Sequence, residues 1–517
     1  MDALLSENPG CEGSNLFPLL EDRTCSFSNV LKGVYCIDMK KPLSVFIKET
    51  PWMKELRVAP ITRGPWKPKY FVLYYCIPGK PTWIAIPRYF GLSKLGNSTH
   101  DERKDGEAIN VQLTTERELR PIQTQAVEAA LDVIERWGGT TIVADCGSGK
   151  SGIGAALICS IQKKTLWITP RTVLMHQAKS DLQTWIPRIK IGWLQGKWNA
   201  TKRRRDTTIQ HHDSCPDDVD NCDIIIASIE SLSQCEYPDE LLHSFGCVIV
   251  DEMHVLAAKT LVHVLPKLPS KITIGLTATP DRKDGLEKVL YWLVGPTSFV
   301  FKRLPSITGL RNTVHIQHIK LQSTISPVMN EQGIDFTTTT QLLAKDTARN
   351  TILHQCILSL LQQRKKVLVV TTFVDHGNYL YSLPIDVEKY FLYSKSDPAD
   401  VVKSKSSSCR LLIATYGFIS VGYDDEDIDA MILALPRSSI QQTIGRIERT
   451  KEGKLVPIVI DIIDSLSIYQ GMANARRKFY CSRGFSITSN NASNSSSGDL
   501  SFLTNKEGGI DAAPASC

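Results

Sequence analysis

The sequence Ala-Asp-Cys-Gly-Ser-Gly-Lys-Ser occupies residues 144–151. A strand-like run at residues 140–143 precedes it, and small and apolar residues at 152–157 follow it. A strand, a glycine-containing loop and a helix in this order form the loop that holds the phosphates of a nucleotide. The same order is the basic unit of an α/β fold built on a parallel sheet. We therefore predict such a fold, with a nucleotide site where this strand ends.

Small residues let the backbone of this loop curl around an anion, so that its N–H groups point inward. Lys150 can reach the β- and γ-phosphates, and the hydroxyl of Ser151 can bind Mg²⁺. The general pattern has glycine at the first position, which Ala144 occupies here. The alternative is a turn beside an ordinary surface lysine. The predicted nucleotide-binding residues of the loop are Cys146, Gly147, Ser148, Gly149, Lys150 and Ser151.

A pair of acidic residues follows a second apolar run. Asp251 and Glu252 come directly after residues 247–250, which are typical of a buried parallel strand. Open α/β sheets bind ligands at the carboxyl ends of their strands. There Asp251 can hold Mg²⁺ through water, and Glu252 can orient or deprotonate an attacking water. Alone, such a pair is also typical of a solvated helix start; the phosphate loop upstream favours the catalytic interpretation.

Length and composition describe a multidomain protein without membrane segments. A chain of 517 residues is too long for one core, and 42% hydrophobic with 22% charged residues is ordinary for a soluble protein. The formal charge of +6 is compatible with a polyanionic partner without establishing one. No apolar run approaches the roughly 18 residues of a membrane span, and no secretory signal is visible. We expect an intracellular, reducing location in which most of the 14 cysteines are free core residues.

The pattern along the chain predicts five segments. Residues 1–110 are expected to form a β-rich or mixed accessory domain, because Pro and Gly separate short strand-like runs. Residues 111–302 and 346–485 alternate strand and helix patterns, which is typical of two α/β domains. Residues 303–345 are polar and Thr-rich, and we predict an irregular connection. Residues 486–517 are rich in Ser, Asn and Gly and are predicted to be a disordered tail.

The second α/β domain carries candidates for completing the nucleotide site. The segment 442–449 begins with Gln442, and its Arg446 and Arg449 share one face if the segment is helical. An arginine that reaches the γ-phosphate from another domain contributes roughly 10³–10⁵ in rate. In isolation, a helix with two arginines is more often only a solvated face.

The order of motifs between residues 118 and 452 resembles that of superfamily 2 helicases of the DExH type. Leu119-Arg120-Pro121-Ile122-Gln123 is similar to their adenine-side motif, and Asp251-Glu252-Met253-His254 is similar to motif II. The run after Thr277-Ala278-Thr279 is similar to the branch of XPB, UvsW and the poxvirus transcript-release helicases, in a member from a large DNA virus. The resemblance implies base contact by Arg120 and Gln123, nucleotide contact by Gly422 and Asp424, catalytic roles for Asp251, Glu252, Gln442, Arg446 and Arg449, and nucleic-acid contact by Arg171, Ser228, Thr279 and Thr415.

The resemblance also implies an architecture and an activity. The fold would be two tandem RecA-like parallel-sheet domains with a small N-terminal accessory domain, using ATP and Mg²⁺. The activity would be that of an ATP-dependent DNA helicase or translocase, in viral transcription or in replication and recombination. Two alternatives stay open: an RNA helicase or RNA-polymerase-associated remodeller, and a non-catalytic nucleic-acid-binding module.

The expected partners are single-stranded or duplex DNA, with RNA as the alternative, and the transcription machinery. We expect a monomer without a membrane partner. Its expected location is the host cytoplasm, a viral factory or the virion, with the nucleus as the alternative.

Overall fold

The structure is a computed structural model, and the chain divides into two compact units, Met1–Arg303 and Leu304–Cys517. Within the described ranges, no helix combines the length and the apolar character that crossing a bilayer requires. The described residues are 28–61, 69–144, 148–170, 172–194, 198–199, 204–205, 219–255, 258–278, 284–301, 314–331, 333–364, 366–420, 423, 425–448 and 454–491.

A small mixed sheet lies at the start of the first unit. Its elements and those beside it are β1 (Asn29–Leu31), β2 (Tyr35–Asp38), α1 (Leu43–Glu49), β3 (Arg57–Val58), β4 (Phe71–Val72), β5 (Tyr75–Ile77), β6 (Lys80–Ile86), α2 (Arg88–Leu95) and β7 (His100–Asp101). Five strands pair in the order β5-β6-β2-β1-β7, and in this sheet only β1 and β7 are parallel neighbours. Strands β3 and β4 form a separate antiparallel pair.

Helix α2 joins this small sheet to the rest of the first unit. Arg88, at its start, is only 3% exposed, and its guanidinium donates to the carbonyl oxygens of Ser270 at 3.0 Å and Leu268 at 3.2 Å. Two residues later, the ring of Phe90 packs edge-on against Trp292 with centroids 4.8 Å apart. A buried guanidinium is tolerated only when such acceptors replace its water. The small sheet is therefore fixed to the larger one by polar and aromatic contacts together.

The rest of the first unit is a seven-stranded parallel sheet. Its elements are α3 (Pro121–Trp137), β8 (Gly139–Val143), α4 (Lys150–Ile161), β9 (Thr165–Thr169), α5 (Thr172–Trp185), β10 (Ile191–Leu194), β11 (Trp198–Asn199), β12 (Arg204–Arg205), β13 (Ile224–Ser228), α6 (Ile229–Gln234), α7 (Asp239–Ser244), β14 (Cys247–Val250), α8 (Ala258–Val264), β15 (Ile272–Thr277), α9 (Glu287–Val294) and β16 (Thr297–Val300). The strand order is β10-β13-β9-β14-β15-β8-β16, and all neighbours are parallel. Strands β11 and β12 form a separate antiparallel pair.

The central strands of this sheet explain the apolar runs of the sequence. Every residue of β8, β9, β13 and β14 is buried, as expected for parallel strands covered on both faces. Because the strands are parallel, their carboxyl ends lie along one edge of the sheet. The loop after β8 and the acidic pair after β14 are thus brought to the same edge, with β15 between their strands.

The second unit contains another seven-stranded parallel sheet. Its elements are β17 (His315–Leu321), β18 (Met329–Asn330), β19 (Gly333–Ile334), α10 (Phe336–Lys345), α11 (Thr347–Gln363), β20 (Val367–Thr371), α12 (Val374–Ser382), β21 (Lys389–Leu392), α13 (Pro398–Lys403), β22 (Leu411–Thr415), α14 (Tyr416–Ser420), β23 (Ala430–Leu433), α15 (Gln441–Gly445), β24 (Ile458–Asp464), α16 (Ser467–Arg483) and β25 (Ser486–Asn491). The strand order is β21-β22-β20-β23-β24-β17-β25, again with parallel neighbours throughout. The predicted fold class, two tandem RecA-like sheets with a small N-terminal sheet, is confirmed.

Two strands of the second sheet lie where the sequence predicts irregular chain. Strand β17 falls within residues 303–345 and pairs with both β24 and β25, while β25 begins at Ser486, inside the predicted tail. Strand β17 was missed because its buried positions include the polar residues Gln317 and His318, each only 4% exposed, so its sequence lacks a continuous apolar run. Strand β25 is polar because it is the edge of the sheet, held by backbone pairing rather than by a continuous apolar run. The prediction of irregular structure is wrong for these two strands; the domain boundaries themselves stay a prediction.

Candidate active site

The phosphate loop ends at Gly149, a position that no other residue type would fit. Gly149 precedes helix α4 and has φ +81°, a left-handed conformation that side chains disfavour. A Cβ at this position would lie 2.3 Å from Nε2 of Gln123 and 3.2 Å from Nη2 of Arg120. Both the backbone angle and the available space therefore explain the glycine that the motif predicts.

The predicted adenine-side residues contact the backbone of this loop. Gln123 is 2% exposed, and its Nε2 donates to the carbonyl oxygens of Ser148 at 3.0 Å and Gly149 at 3.2 Å. Its Oε1 accepts from the backbone N–H of Arg120 at 2.8 Å, and the Arg120 guanidinium also contacts the carbonyl of Ser148. Helix α3 thus holds the end of the loop through the amide of one residue. The predicted base contact of Arg120 and Gln123 stays a prediction.

Lys150 connects the phosphate loop to the acidic pair. Its Nζ lies 3.1 Å from Oε1 of Glu252 and donates to the carbonyl oxygen of Ala144 at 3.4 Å. The two charged side chains are 11% and 16% exposed. Residues about a hundred positions apart in the chain therefore share one partly accessible ion pair.

The acidic pair sits on a strained turn after β14. Glu252 has φ +46°, a conformation that costs a non-glycine residue of order 1–3 kcal/mol. Its backbone N–H donates to Oδ1 of Asp251 at 2.9 Å. Loss of hydration, followed by the charge of Glu252, raises the pKa of Asp251 to about 7, while Lys150 acts in the opposite direction. Burial and the neighbouring carboxylate therefore disfavour the charged form of Asp251 more than Lys150 favours it.

Two residues next to the acidic pair received no role from the sequence. Nδ1 of His254 lies 2.9 Å from Oγ1 of Thr277 and 3.4 Å from Oε2 of Glu252. Thr277 is the last residue of β15, so the histidine links the ends of two neighbouring strands. Both residues lie inside motifs quoted from the sequence, and their place in those motifs could have indicated that they belong to the site.

Ser151 contacts an acidic residue that the sequence analysis missed. Its Oγ donates to Oδ2 of Asp181 at 2.8 Å. Asp181 lies within helix α5, and no spacing in the sequence relates it to the phosphate loop. The packing of two helices creates this contact.

The oxygen donors at this edge suit a divalent metal. A serine hydroxyl and aspartate or glutamate carboxylates are the ligand types that Mg²⁺ takes, usually with phosphate oxygens and water completing its shell. Ser151, Asp251 and Glu252 supply such atoms, and a cation would stabilise the charged form of Asp251, whose pKa is raised by burial and then by the charge of Glu252. The residues present therefore fit Mg²⁺ and a polyphosphate.

In the second unit, the segment that carries the candidate residues Gln442 and Arg446 is helical only as far as Gly445. Helix α15 ends at Gly445, and the backbone N–H of Arg446 donates to the carbonyl of Thr443 at 3.2 Å. Such an i→i−3 bond tightens the last turn and ends the α-helix. Arg446 is 5% exposed, and its Nε donates to the carbonyl oxygen of Ile419 at 3.3 Å. The sequence places Arg446 and Arg449 on one face only if their segment is helical, and in the described part Arg446 follows the helix end.

The segment that leads into α15 is held from three directions. Residues 434–437 connect β23 to this region, and three of their carbonyl oxygens accept hydrogen bonds from buried side chains. The bonds are Arg349 to Ala434 at 2.7 Å, Tyr416 to Leu435 at 3.1 Å and Arg476 to Arg437 at 2.8 Å.

Buried carboxylates hold the two arginines of this set. Arg349 pairs with Asp464, and these side chains are 2% and 1% exposed. Nε of Arg476 donates to Oδ2 of Asp461 at 2.9 Å, and these side chains are 3% and 1% exposed. The backbone that carries Gln442 and Arg446 thus rests on two sealed ion pairs.

Four residues were predicted to contact nucleic acid. Two of them are buried, and the other two lie outside the described residues. Ser228 is 3% exposed, and its Oγ accepts the N–H of Ser231 as the N-cap of α6, so the side chain is used inside the protein. Thr415, the last residue of β22, is 9% exposed. The predicted site residues that lie outside the described residues are Cys146, Gly147, Arg171, Thr279, Gly422, Asp424 and Arg449.

The amino-acid sequence of this chain is similar to that of known proteins. Residues 116–282 match the family described as type III restriction enzyme, res subunit. A putative ATP-dependent RNA helicase of Acanthamoeba polyphaga mimivirus is 26% identical over 451 residues, covering 84% of this chain and 81% of the relative. A putative ATP-dependent RNA helicase of African swine fever virus (strain Badajoz 1971 Vero-adapted) is 23% identical over 464 residues, covering 80% and 85%.

These matches agree with the resemblance to superfamily 2 helicases. The protein is an enzyme of the helicase ATPase type, and its similarity to proteins of large DNA viruses confirms the resemblance drawn from its motifs. Its fold is also similar to that of S. cerevisiae Dbp5 bound to RNA and ADP BeF3, with a TM-score of 0.51, 12% identity, and coverage of 72% of this chain and 89% of that chain.

Proposed function

We propose that this protein is an ATP-dependent DNA helicase or translocase that couples hydrolysis at the edge of the first sheet to movement along DNA. One observation carries the proposal: Lys150, Ser151, Asp251 and Glu252 come from two distant parts of the chain and meet at the carboxyl ends of β8 and β14. Ligands of open parallel sheets bind at such an edge.

The residues of the first unit have distinct tasks in this proposal. The N–H groups of the loop that ends at Gly149 bind phosphate oxygens. Ser151 and Asp251 hold Mg²⁺, which supplies positive charge to the phosphates when bound. In the observed arrangement Lys150 neutralises Glu252 at 3.1 Å. When Lys150 turns to the phosphates, Glu252 is released to orient a water and accept its proton.

The second unit would complete the site. Arg446 and the predicted Arg449 would neutralise charge that develops on the γ-phosphate, and Gln442 would orient the water or the phosphate. Gly422 and Asp424 would contact the nucleotide. The fixed backbone of residues 434–437 supports this proposal, because an arginine that acts on a transition state must be held in place before the reaction.

Nucleic acid would be held mainly through its phosphates by Arg171 and Thr279, since a protein that moves along a strand cannot depend on base contacts. RNA is the second candidate substrate, because the names of the mimivirus and African swine fever virus relatives specify RNA helicases. The extended motif after β15 favours DNA. The pathway we propose is viral transcription, replication or recombination in an infected cell.

A panel of nucleic acids tests the proposal. Hydrolysis of ATP should be measured with single-stranded DNA, duplex DNA, forked DNA and RNA of matched sequence, with Lys150→Ala protein as the control for contaminating ATPases. We expect DNA to stimulate turnover more than RNA does. Stimulation by RNA alone would favour the second candidate, and absence of hydrolysis under every condition would exclude both.

A further inference from the structure

The contact between Ser151 and Asp181 is fixed by close packing of their helices. Ser151 is the second residue of α4, and Asp181 lies on α5. Next to Ser151, a Cβ at Gly152 would lie 2.7 Å from the ring of Trp185, so the two helices approach as closely as a glycine permits. The 2.8 Å hydrogen bond between Oγ and Oδ2 therefore joins two elements whose separation is set by their backbones.

The direction of this hydrogen bond matters for metal binding. A serine hydroxyl has one proton and two lone pairs. When Asp181 accepts the proton, both lone pairs remain for a cation, and the charge of the carboxylate increases electron density on the hydroxyl oxygen. A hydroxyl without such an acceptor can rotate its proton toward the cation, which weakens the bond to the metal.

We infer that Asp181 is a positioning residue for Mg²⁺, which acts by accepting the proton of Ser151 and turning the lone pairs of that hydroxyl toward the cation. This inference rests on the proposed function, because it requires that Ser151 holds Mg²⁺ with a bound nucleotide. Partners that orient a metal ligand from behind change metal affinity by about 10- to 100-fold when they are removed.

The test measures binding rather than turnover. Binding of a fluorescent ADP analogue to the full-length protein should be titrated with Mg²⁺ for the wild type, Asp181→Ala, Ser151→Ala and the double variant. We expect Asp181→Ala to raise the Mg²⁺ concentration needed for half-maximal binding by about 10-fold or more. The double variant should be no weaker than Ser151→Ala alone, because Asp181 acts through that hydroxyl.

Two further variants separate the causes. Asp181→Asn keeps the size of the side chain and an acceptor oxygen but removes the charge, so we expect an intermediate effect; it also serves if Asp181→Ala fails to fold. Asp132→Asn is the matched control, since Asp132 pairs with Arg136 on the exposed face of α3 and should leave Mg²⁺ affinity unchanged.

Three outcomes would overturn the role of Asp181. These are unchanged Mg²⁺ affinity in Asp181→Ala, tighter affinity, which would mean that Asp181 holds the hydroxyl away from the metal, and a full effect of Asp181→Ala in the Ser151→Ala background. If the wild type bound no nucleotide at any Mg²⁺ concentration, the proposed function would fail together with the inference. Normal Mg²⁺-dependent binding by the wild type therefore separates the two failures.

Discussion

The ion pairs of the two units differ in how well water reaches them. In the first unit, Lys150 and Glu252 pair at 3.1 Å and remain 11% and 16% exposed. In the second, Arg349 pairs with Asp464 where both side chains are at most 2% exposed. A partly accessible pair can be exchanged for a ligand, whereas a sealed pair can only hold its surroundings in place. The ion pair of the first unit is therefore suited to exchanging partners, and that of the second unit to keeping the backbone rigid.

The energetic consequence follows from desolvation. Removing one partner of a buried pair leaves an uncompensated charge and destabilises a protein by about 3–5 kcal/mol. Removing one partner of a solvent-exposed pair changes stability by about 1 kcal/mol or less, so the Lys150–Glu252 pair, which is 11% and 16% exposed, should lie between these two limits. We therefore expect mutation of the pair in the first unit to affect mainly activity, and mutation of the pair in the second unit to affect mainly the free energy of unfolding.

The largest effect should be the loss of turnover in Lys150→Ala. Without Lys150 the phosphates lack their cationic partner, so we expect no nucleic-acid-stimulated ATP hydrolysis, while the free energy of unfolding falls by less than it does when a sealed pair is broken. Steady-state ATPase assays and denaturant unfolding measure the two quantities. The control is Lys94→Ala, whose exposed lysine pairs with Glu55 and should leave both quantities unchanged. Normal turnover in Lys150→Ala would contradict the catalytic role of the ion pair in the first unit.

Next in size should be the destabilisation caused by Arg349→Ala. This change leaves Asp464 buried without its arginine and frees the carbonyl of Ala434, so we expect a loss of about 3–5 kcal/mol in the free energy of unfolding. Denaturant unfolding followed by circular dichroism measures it. Arg136→Ala breaks a pair that is 50% and 65% exposed, and its effect should be about 0.5 kcal/mol. Equal effects of the two changes would contradict the distinction between sealed and accessible pairs.

The smallest effect should come from Tyr416→Phe. This variant keeps the ring beneath Arg437, 5.0 Å from its guanidinium, and loses only the hydrogen bond to the carbonyl of Leu435. We expect a loss of about 1 kcal/mol in stability and a several-fold lower kcat for ATP with an unchanged KM, because Arg446 loses part of its support.

Steady-state kinetics with saturating nucleic acid measure this effect on Arg446. Tyr379→Phe, at a residue that is 43% exposed, is the control. A change in KM without a change in kcat would show that the tyrosine affects nucleotide binding instead of the position of the arginine.

The sequence predicts those features that local patterns encode. The phosphate loop, the acidic pair and the continuous apolar strands follow from residue type and spacing, and the structure brings Lys150 and Glu252 together as expected for strand ends. Local pattern also indicates the N-terminal mixed sheet. These features depend on residues within one element or one turn.

The remaining features depend on contacts between distant elements. Asp181 meets Ser151 only because α4 and α5 pack together, and Arg349 meets Asp464 across more than a hundred residues. Strand β17 carries buried polar residues, so its pattern does not indicate a strand. No periodicity in the sequence reports such pairs; they appear only when the chain is folded.

Arg88 and Phe90 have a consequence for how this protein can be divided. A shortened protein that starts at residue 111 would leave the Trp292 ring uncovered and the carbonyls of Leu268 and Ser270 without their guanidinium. Exposed aromatic surface promotes aggregation, so such a fragment should be poorly soluble. Cutting the chain between the two units would spare this seam and is the better route to separate halves.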